Sequence, residues 1–256
     1  MGDPDQVTVT ICRYGSDGEQ YAELFLPGGD PFGVAVVLHG GFWRAFYDAS
    51  LGRPLALDLA ARGWAAYNVE YRRVGNGGGW PATLLDVAAA LDHLAELDVD
   101  LTRVVTIGHS AGGHLAVWAA GRAMLPGAAP GSSPQVAVTG AVAQAGVLDL
   151  RTGAARSVGG TAIADFLGGA PDEVPDRYDW ADPIARVPLA VPVVCVHGHD
   201  DDSVPLAQSQ AYVAAATAAG GEAELVVTED DHMAHVDPAS NAWAVVIAAL
   251  TRFTKS

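Results

Sequence analysis

Apolar residues follow two rhythms along this chain. Near the start they alternate with polar ones, in VTVTIC and QYAELFL, on either side of the turn-rich YGSDGE. A period of two marks strands with one buried face, so a β-hairpin is predicted over residues 7–12 and 20–26. From residue 33 the rhythm changes to short, nearly unbroken apolar runs: GVAVVLHG, WAAYNVEY, RVVTIG, VAVTGAVAQAG, VPVVCVHG and EAELVVTE. GVAVVLHG reads as a strand buried on both faces, and the runs after it as further strands. Between them lie helical spacings. Residues 48–62 carry Leu51, Leu55 and Leu59 and stop at Gly63. Residues 80–97 place Pro81 in the first turn and Leu84, Leu91 and Leu94 on the inner side. Residues 110–124 and 205–219 follow, and a last helix is predicted from Asp237 and Pro238 to about Phe253. The alternation predicts an α/β fold, a mostly parallel central sheet with helices on both faces. Residues 148–188 break the rhythm and are read as a small cap insertion within one domain spanning 1–256.

Composition narrows the partners. The formal net charge is −16, from 30 acidic and 14 basic residues. Phosphate binding needs clustered Lys and Arg, so no nucleic acid is expected. The opening MGDPDQVTVT has neither a basic start nor an apolar stretch, and no run approaches the length that spans a bilayer. A cytoplasmic enzyme without a membrane partner is the expectation. Cys12 and Cys195 sit in strand-like runs and read as buried free thiols.

The candidate chemistry begins at GHSAGG. Ser110 lies between Gly108 and Gly112, after a buried strand and before a helix. In a G-x-S-x-G elbow the serine occupies a tight turn that lifts its hydroxyl above the sheet, near the positive end of a helix. HGGFWR supplies a second part. An acyl-transfer oxyanion needs N–H donors already aimed at it, and a paired-glycine loop can offer them. The candidates are the amides of Gly41 and Phe42, with Gly40 in reserve, joined by Ala111 after the serine. His39 is expected to brace this loop. His93, His109 and His114 read as structural, and His197 and His199 precede the expected base position, which leaves His232 and His235 of DDHMAHVDP as candidate bases. HGHDDDSVP offers three aspartates, Asp200, Asp201 and Asp202, as the acid that orients the base.

Taken together, HGGFWR, GHSAGGHLA, FLGG with ADPIARVP, HGHDDDSVP and DHMAHVDP resemble α/β-hydrolases of the kynurenine formamidase and small-esterase branch, near the hormone-sensitive-lipase group. The resemblance covers the chain from about residue 20 onward, and EYRR falls where those families carry a tyrosine–arginine strand end. It implies the α/β-hydrolase fold and a serine hydrolase of small carboxylic esters or aryl formamides that works through an acyl-enzyme. It implies Asp201 as the acid, three residues before Val204–Pro205, with Asp202 as runner-up. His232 is then the base, and His235 stands where the family has an apolar residue. Phe42 and Trp43 stand in place of a third glycine and suggest either an aromatic wall beside the oxyanion hole or, equally, core packing. Trp80, Phe166 and Trp180 are further candidates for lining the substrate pocket, although aromatics mostly serve cores.

Two rival readings remain. A metal hydrolase would draw on His197, His199, the aspartates, His232 and His235, but no H-E-x-x-H or comparable ligand spacing occurs. A non-catalytic binding protein on the same fold would normally lack a triad member. The expected partner is a small acyl compound, with no metal or organic cofactor. No motif specifies an oligomeric state.

Overall fold

The computed structural model describes residues 7–253. The predicted hairpin forms from β1 (Thr8–Arg13) and β2 (Tyr21–Leu26), paired antiparallel. β2 also runs antiparallel to β4 (Ala65–Val69). The remaining strands are parallel: β3 (Val34–Leu38), β5 (Val104–His109), β6 (Gly140–Gln144), β7 (Val193–Gly198) and β8 (Ala223–Thr228). The eight strands are ordered β1-β2-β4-β3-β5-β6-β7-β8. After β3 the chain steps outward to β4 and then returns to the other side of β3. The strand order therefore reverses between β3 and β5, where sheets of this kind place their ligands, at the carboxyl ends of the strands.

Period-two alternation sorts the core. Val34, Val36 and Leu38 face one layer with Leu84, Leu91 and Leu115. Ala35 and Val37 face the other, with Leu55, Leu59, Trp243 and Leu250. Helices α1 (Arg53–Ala61) and α8 (Asn241–Phe253) thus cover one face. Helices α2 (Ala82–His93), α3 (Ala111–Ala120) and α7 (Ala207–Ala218) cover the other, with Val117 and Tyr212 packed on Ala143 and Cys195. Both cysteines are buried and free.

Several boundaries differ from the expectation. The segment 48–62 splits: Asp48 caps a short 3-10 turn, accepting from Ser50 N at 2.9 Å, and α1 starts only after Gly52. The last helix starts at Asn241, because Ser240 Oγ accepts from Trp243 N at 3.0 Å. Asp237 instead closes a turn on Ala239 N. Between β6 and β7 lie the three short helices of the cap: α4 (Leu150–Ala155), α5 (Ala162–Leu167) and α6 (Pro175–Ala181). Asp182 ties the insertion together, its carboxylate accepting from Leu150 N and Arg151 N at 2.9 and 3.2 Å. The expected domain span also takes in residues 1–6 and 254–256, which lie outside the described residues.

Candidate active site

Strand β5 delivers Ser110 into a turn that few L-residues adopt, with φ 57° and ψ −118°. A non-glycine residue at positive φ costs of the order of 1–3 kcal/mol and needs surroundings that enforce it. Here the flanking glycines do so. A Cβ on Gly108 would fall 2.0 Å from the Gly112 carbonyl oxygen, and one on Gly112 would fall 2.0 Å from that of Leu38. Strand, turn and helix therefore interlock at a spacing only glycine allows. Ser110 N donates to Gln144 O at 2.8 Å, which ties the turn to β6.

The paired-glycine loop leaves β3 beside this turn. A Cβ on Gly40 would lie 3.1 Å from Ser110 Cβ. Gly41, Phe42 and Trp43 then take successive positive φ values of 110°, 55° and 54°. Three such residues in a row curl the backbone into a concavity. The amides of Gly41, Phe42 and Ala111 donate to no backbone acceptor among the described residues. Free N–H groups in such a curl, beside a helix N-terminus, form an anion-binding surface.

The candidate acid and base meet from two loops. After β7, Asp201 folds inward: its Oδ1 accepts from Ser203 N at 2.9 Å and Val204 N at 2.8 Å. Its Oδ2 lies 2.7 Å from His232 Nδ1 in the loop after β8. The imidazole of His197 approaches the same oxygen at 3.4 Å, although its closer partner is Val204 O at 2.9 Å. Burial alone would raise the Asp201 pKa. The donors from His197, His232 and Val204 outweigh it and hold the carboxyl well below the usual carboxylate range. A carboxylate accepts only, so His232 carries its proton on Nδ1 and leaves the Nε2 lone pair free. Neither that nitrogen nor the Ser110 hydroxyl has a hydrogen-bond partner among the described residues. The two residues are joined through His109, which precedes Ser110. Its Nε2 donates to the His232 carbonyl at 2.9 Å, and the two rings stand 4.5 Å apart. Ser110 and His232 are only 2% and 7% exposed.

The other candidates separate cleanly. Asp200 is exposed and pairs with His199, while Asp202 is exposed and accepts from Ser203 Oγ. His235 is buried beside His109, with its ring 5.9 Å away, and neither of its ring nitrogens has a hydrogen-bond partner among the described residues. Burial first, then His197 and His232, push its pKa down to about 4. Burial likewise keeps His109 neutral. His114 is held at about 4, donating to Ala181 O and accepting from Trp43 Nε1. His39 is buried under the paired-glycine loop and bonded to Gly40 O at 2.8 Å.

The aromatic wall needs correction. Trp43 and Phe166 are 1% and 0% exposed, stacked on each other at 4.8 Å with His114 at their edges. The positive φ at Phe42 and Trp43 turns the indole down into the core, so both rings pack the cap onto α3 instead of lining a pocket. Trp80 packs against Trp180, under the Arg177 guanidinium, and none of these contacts involves the serine turn. Phe42 alone of the proposed wall stays at the loop surface, against Gly159 of the cap. Sequence reasoning assigned no role to Glu70, Tyr71 or Arg73, which lie buried beneath the loop. The available signal was EYRR itself: charged residues closing a strand that is otherwise buried.

The BD-FAE family model matches residues 23–215, a span that takes in the paired-glycine loop, the serine turn and Asp201. Esterase LipQ of Mycobacterium tuberculosis is 30% identical over 195 residues, covering 73% of this chain and 46% of that protein. The probable carboxylic ester hydrolase LipM of the same organism is 29% identical over 208 residues, covering 72% and 45%. This chain thus spans a little under half the length of these two relatives. Among solved structures, a truncated carbohydrate esterase from gut microbiota superposes with a TM-score of 0.79 at 21% identity, over 100% of both chains. Esterase B from Lactobacillus rhamnosis gives 0.82 at 21% identity, over 98% of this chain and 87% of that one. A bacterial heroin esterase gives 0.75 at 24% identity, over 99% and 85%. At such identities the likeness is one of fold, and it is the α/β-hydrolase fold. With three quarters of its length inside the matched span, this chain belongs to the BD-FAE family.

Proposed function

We propose that this protein is a serine hydrolase of small carboxylic esters. The observation that carries the reading is the 2.7 Å contact between Asp201 Oδ2 and His232 Nδ1, which fixes the imidazole with Nε2 free, beside a serine on a strained turn. Ser110 Oγ attacks the ester carbonyl while His232 Nε2 takes its proton. Asp201 holds the ring and stabilises the imidazolium that forms. The amides of Gly41, Phe42 and Ala111 receive the oxyanion, and no reorganisation is needed once they are set. His232 then protonates the departing alcohol. A water, activated by the same nitrogen, releases the acid from the acyl-enzyme. No step requires a metal.

The esterase relatives support an ester substrate. The HGGFW loop, which resembles the formamidase type, supports aryl formamides as a second class attacked by the same machinery. The test is a panel of short p-nitrophenyl esters alongside N-formylkynurenine, with a fluorophosphonate that adds covalently to an activated serine. Ester turnover together with a single adduct, abolished in Ser110→Ala, is expected. An adduct that survives Ser110→Ala would overturn the assignment.

A further inference from the structure

Four buried side chains under the paired-glycine loop, His39, Glu70, Tyr71 and Arg73, have no part in the reaction as drawn. Two of their hydrogen bonds reach carbonyls of that loop. Tyr71 Oη donates to the His39 carbonyl at 2.6 Å. His39 Nδ1 lies 2.8 Å from the Gly40 carbonyl. In a trans peptide the C=O of one residue and the N–H of the next point in opposite directions. Pinning the carbonyls of His39 and Gly40 toward the cluster therefore turns the N–H groups of Gly40 and Gly41 away from it. On that other side lies Ser110, against which Gly40 is packed.

We propose that His39 and Tyr71 are positioning residues that aim the oxyanion donors, and that Arg73, anchored by Glu70, sets the His39 tautomer on which this depends. The proposal rests on the reading of Ser110 as nucleophile and the loop amides as oxyanion donors. Its logic is proton accounting. The Gly40 carbonyl can only accept, so His39 Nδ1 must carry hydrogen. Burial, aided by the Arg73 charge, pushes the His39 pKa down to about 3, so the ring is neutral and Nε2 is bare. That nitrogen faces Glu70 Oε1 at 3.1 Å and Arg73 Nη1 at 3.4 Å. Arg73 Nη1 donates to Glu70 as well, so one guanidinium nitrogen serves both acceptors. Without it, the carboxylate would draw the ring proton to Nε2, and Gly40 would lose its donor.

Every member is itself held. Glu70 Oε2 accepts from Ala49 N at 2.7 Å and Oε1 from Tyr71 N at 2.8 Å. Arg73 Nη2 is paired with Glu19. The Tyr71 ring stacks on His39 at 4.4 Å with 12° between planes, and burial keeps its phenol protonated as a donor. Arg73 is thus two hydrogen bonds from the Gly41 amide, through His39 and one peptide.

The test combines kinetics with a tautomer readout. Tyr71→Phe, which keeps the stacked ring, and Arg73→Met are assayed on p-nitrophenyl butyrate, with active enzyme counted by phosphonate titration. Misaiming a donor by a fraction of an ångström should lower kcat about 10- to 100-fold with KM within about twofold. In nitrogen-15 histidine spectra, with His39 assigned by its loss in His39→Gln, wild-type protein should show Nδ1–H and Arg73→Met should show Nε2–H. Full kcat per titrated site in Tyr71→Phe, or an Nε2–H form in wild-type protein, would overturn the proposal. Should the wild-type protein neither turn over esters nor take the phosphonate, the function reading fails. The tautomer shift would then still decide whether the pinning exists.

Discussion

Replacing Asp201 by asparagine exchanges a single oxygen for an NH2 group, and the surroundings dictate where that group must go. The side chain is fully buried, so no water can relieve a mismatch. One oxygen accepts from two backbone N–H groups, those of Ser203 and Val204. Turning the amide nitrogen toward them would set it against both donors at once. The NH2 is therefore forced to the other position, 2.7 Å from His232 Nδ1. An amide donor there selects the tautomer with hydrogen on Nε2, which has no lone pair for the Ser110 proton. Fold and packing survive while the base does not. By analogy with triad enzymes the loss in kcat is about 10³- to 10⁴-fold, or about 4–5.5 kcal/mol in the barrier.

Asp200→Asn and Asp202→Asn provide the comparison, since both carboxylates are exposed and, among the described residues, bonded to His199 and to the Ser203 hydroxyl. Exposed contacts of this kind are worth about 1 kcal/mol or less, so kcat should fall less than about fivefold. The assay is kcat for all three variants on one p-nitrophenyl ester, with circular dichroism confirming the fold. A dead Asp202→Asn beside an active Asp201→Asn would refute the assignment of the acid. Three active variants would move the acid elsewhere in the chain.

Gly112→Ala must push a methyl into the Leu38 carbonyl; insoluble protein or a melting temperature lower by more than about 10 °C is expected, and a change under about 2 °C would contradict the close approach. Asp182 is raised to about 7 by burial, against hydrogen bonds from Leu150 and Arg151 that lower it. The folded chain then holds this proton more tightly than the unfolded one, so wild-type stability falls as pH rises from about 4 to about 7 and levels off above. Melting curves of Asp182→Asn should accordingly gain on wild type across that window, and a gap that stays flat would count against it. Butyryl esters should exceed dodecanoyl esters in kcat/KM, because Ser110 and His232 are barely exposed and Phe42 lies against Gly159 of the cap; the reverse order would refute a tight site. EDTA should leave activity unchanged, and a loss restored by zinc would favour a metal mechanism instead.

Those elements whose hydrophobic period is unambiguous were legible from the sequence. The buried strands appear within a few residues of their apolar runs, and Gly63, at φ 92°, ends α1 where the pattern stops. The serine turn was legible for a steric reason: its requirement, small residues on either side of Ser110, is met inside five consecutive residues. The aromatic residues were not. Whether Trp43 points to a pocket or to the core depends on three backbone angles and on His114, which lies 71 residues away. Hydrophobicity has the same sign in both cases. Glu70 and Arg73 escaped for a related reason. As a pair three positions apart they look like a solvated strand end, and only the approach of His39 from β3 makes them part of a site.

The three aspartates show where the line falls between pattern and contact. Alternation cannot rank Asp200, Asp201 and Asp202, because all three follow the last apolar residue of β7, and the choice rested on the resemblance. The structure supplies a physical criterion that was present in the letters. Asp201 stands two and three residues before Ser203 and Val204, the spacing at which an aspartate side chain folds back onto backbone N–H groups. Val204 is buried and Pro205 follows at once, so this turn is fixed by what comes after it. Asp202 is one residue too late to bond Val204 in the same way, and Asp200 one too early. Only the middle carboxylate can spend one oxygen on the turn and still present the other to His232. The turn singles out the same aspartate that the resemblance implies as the acid.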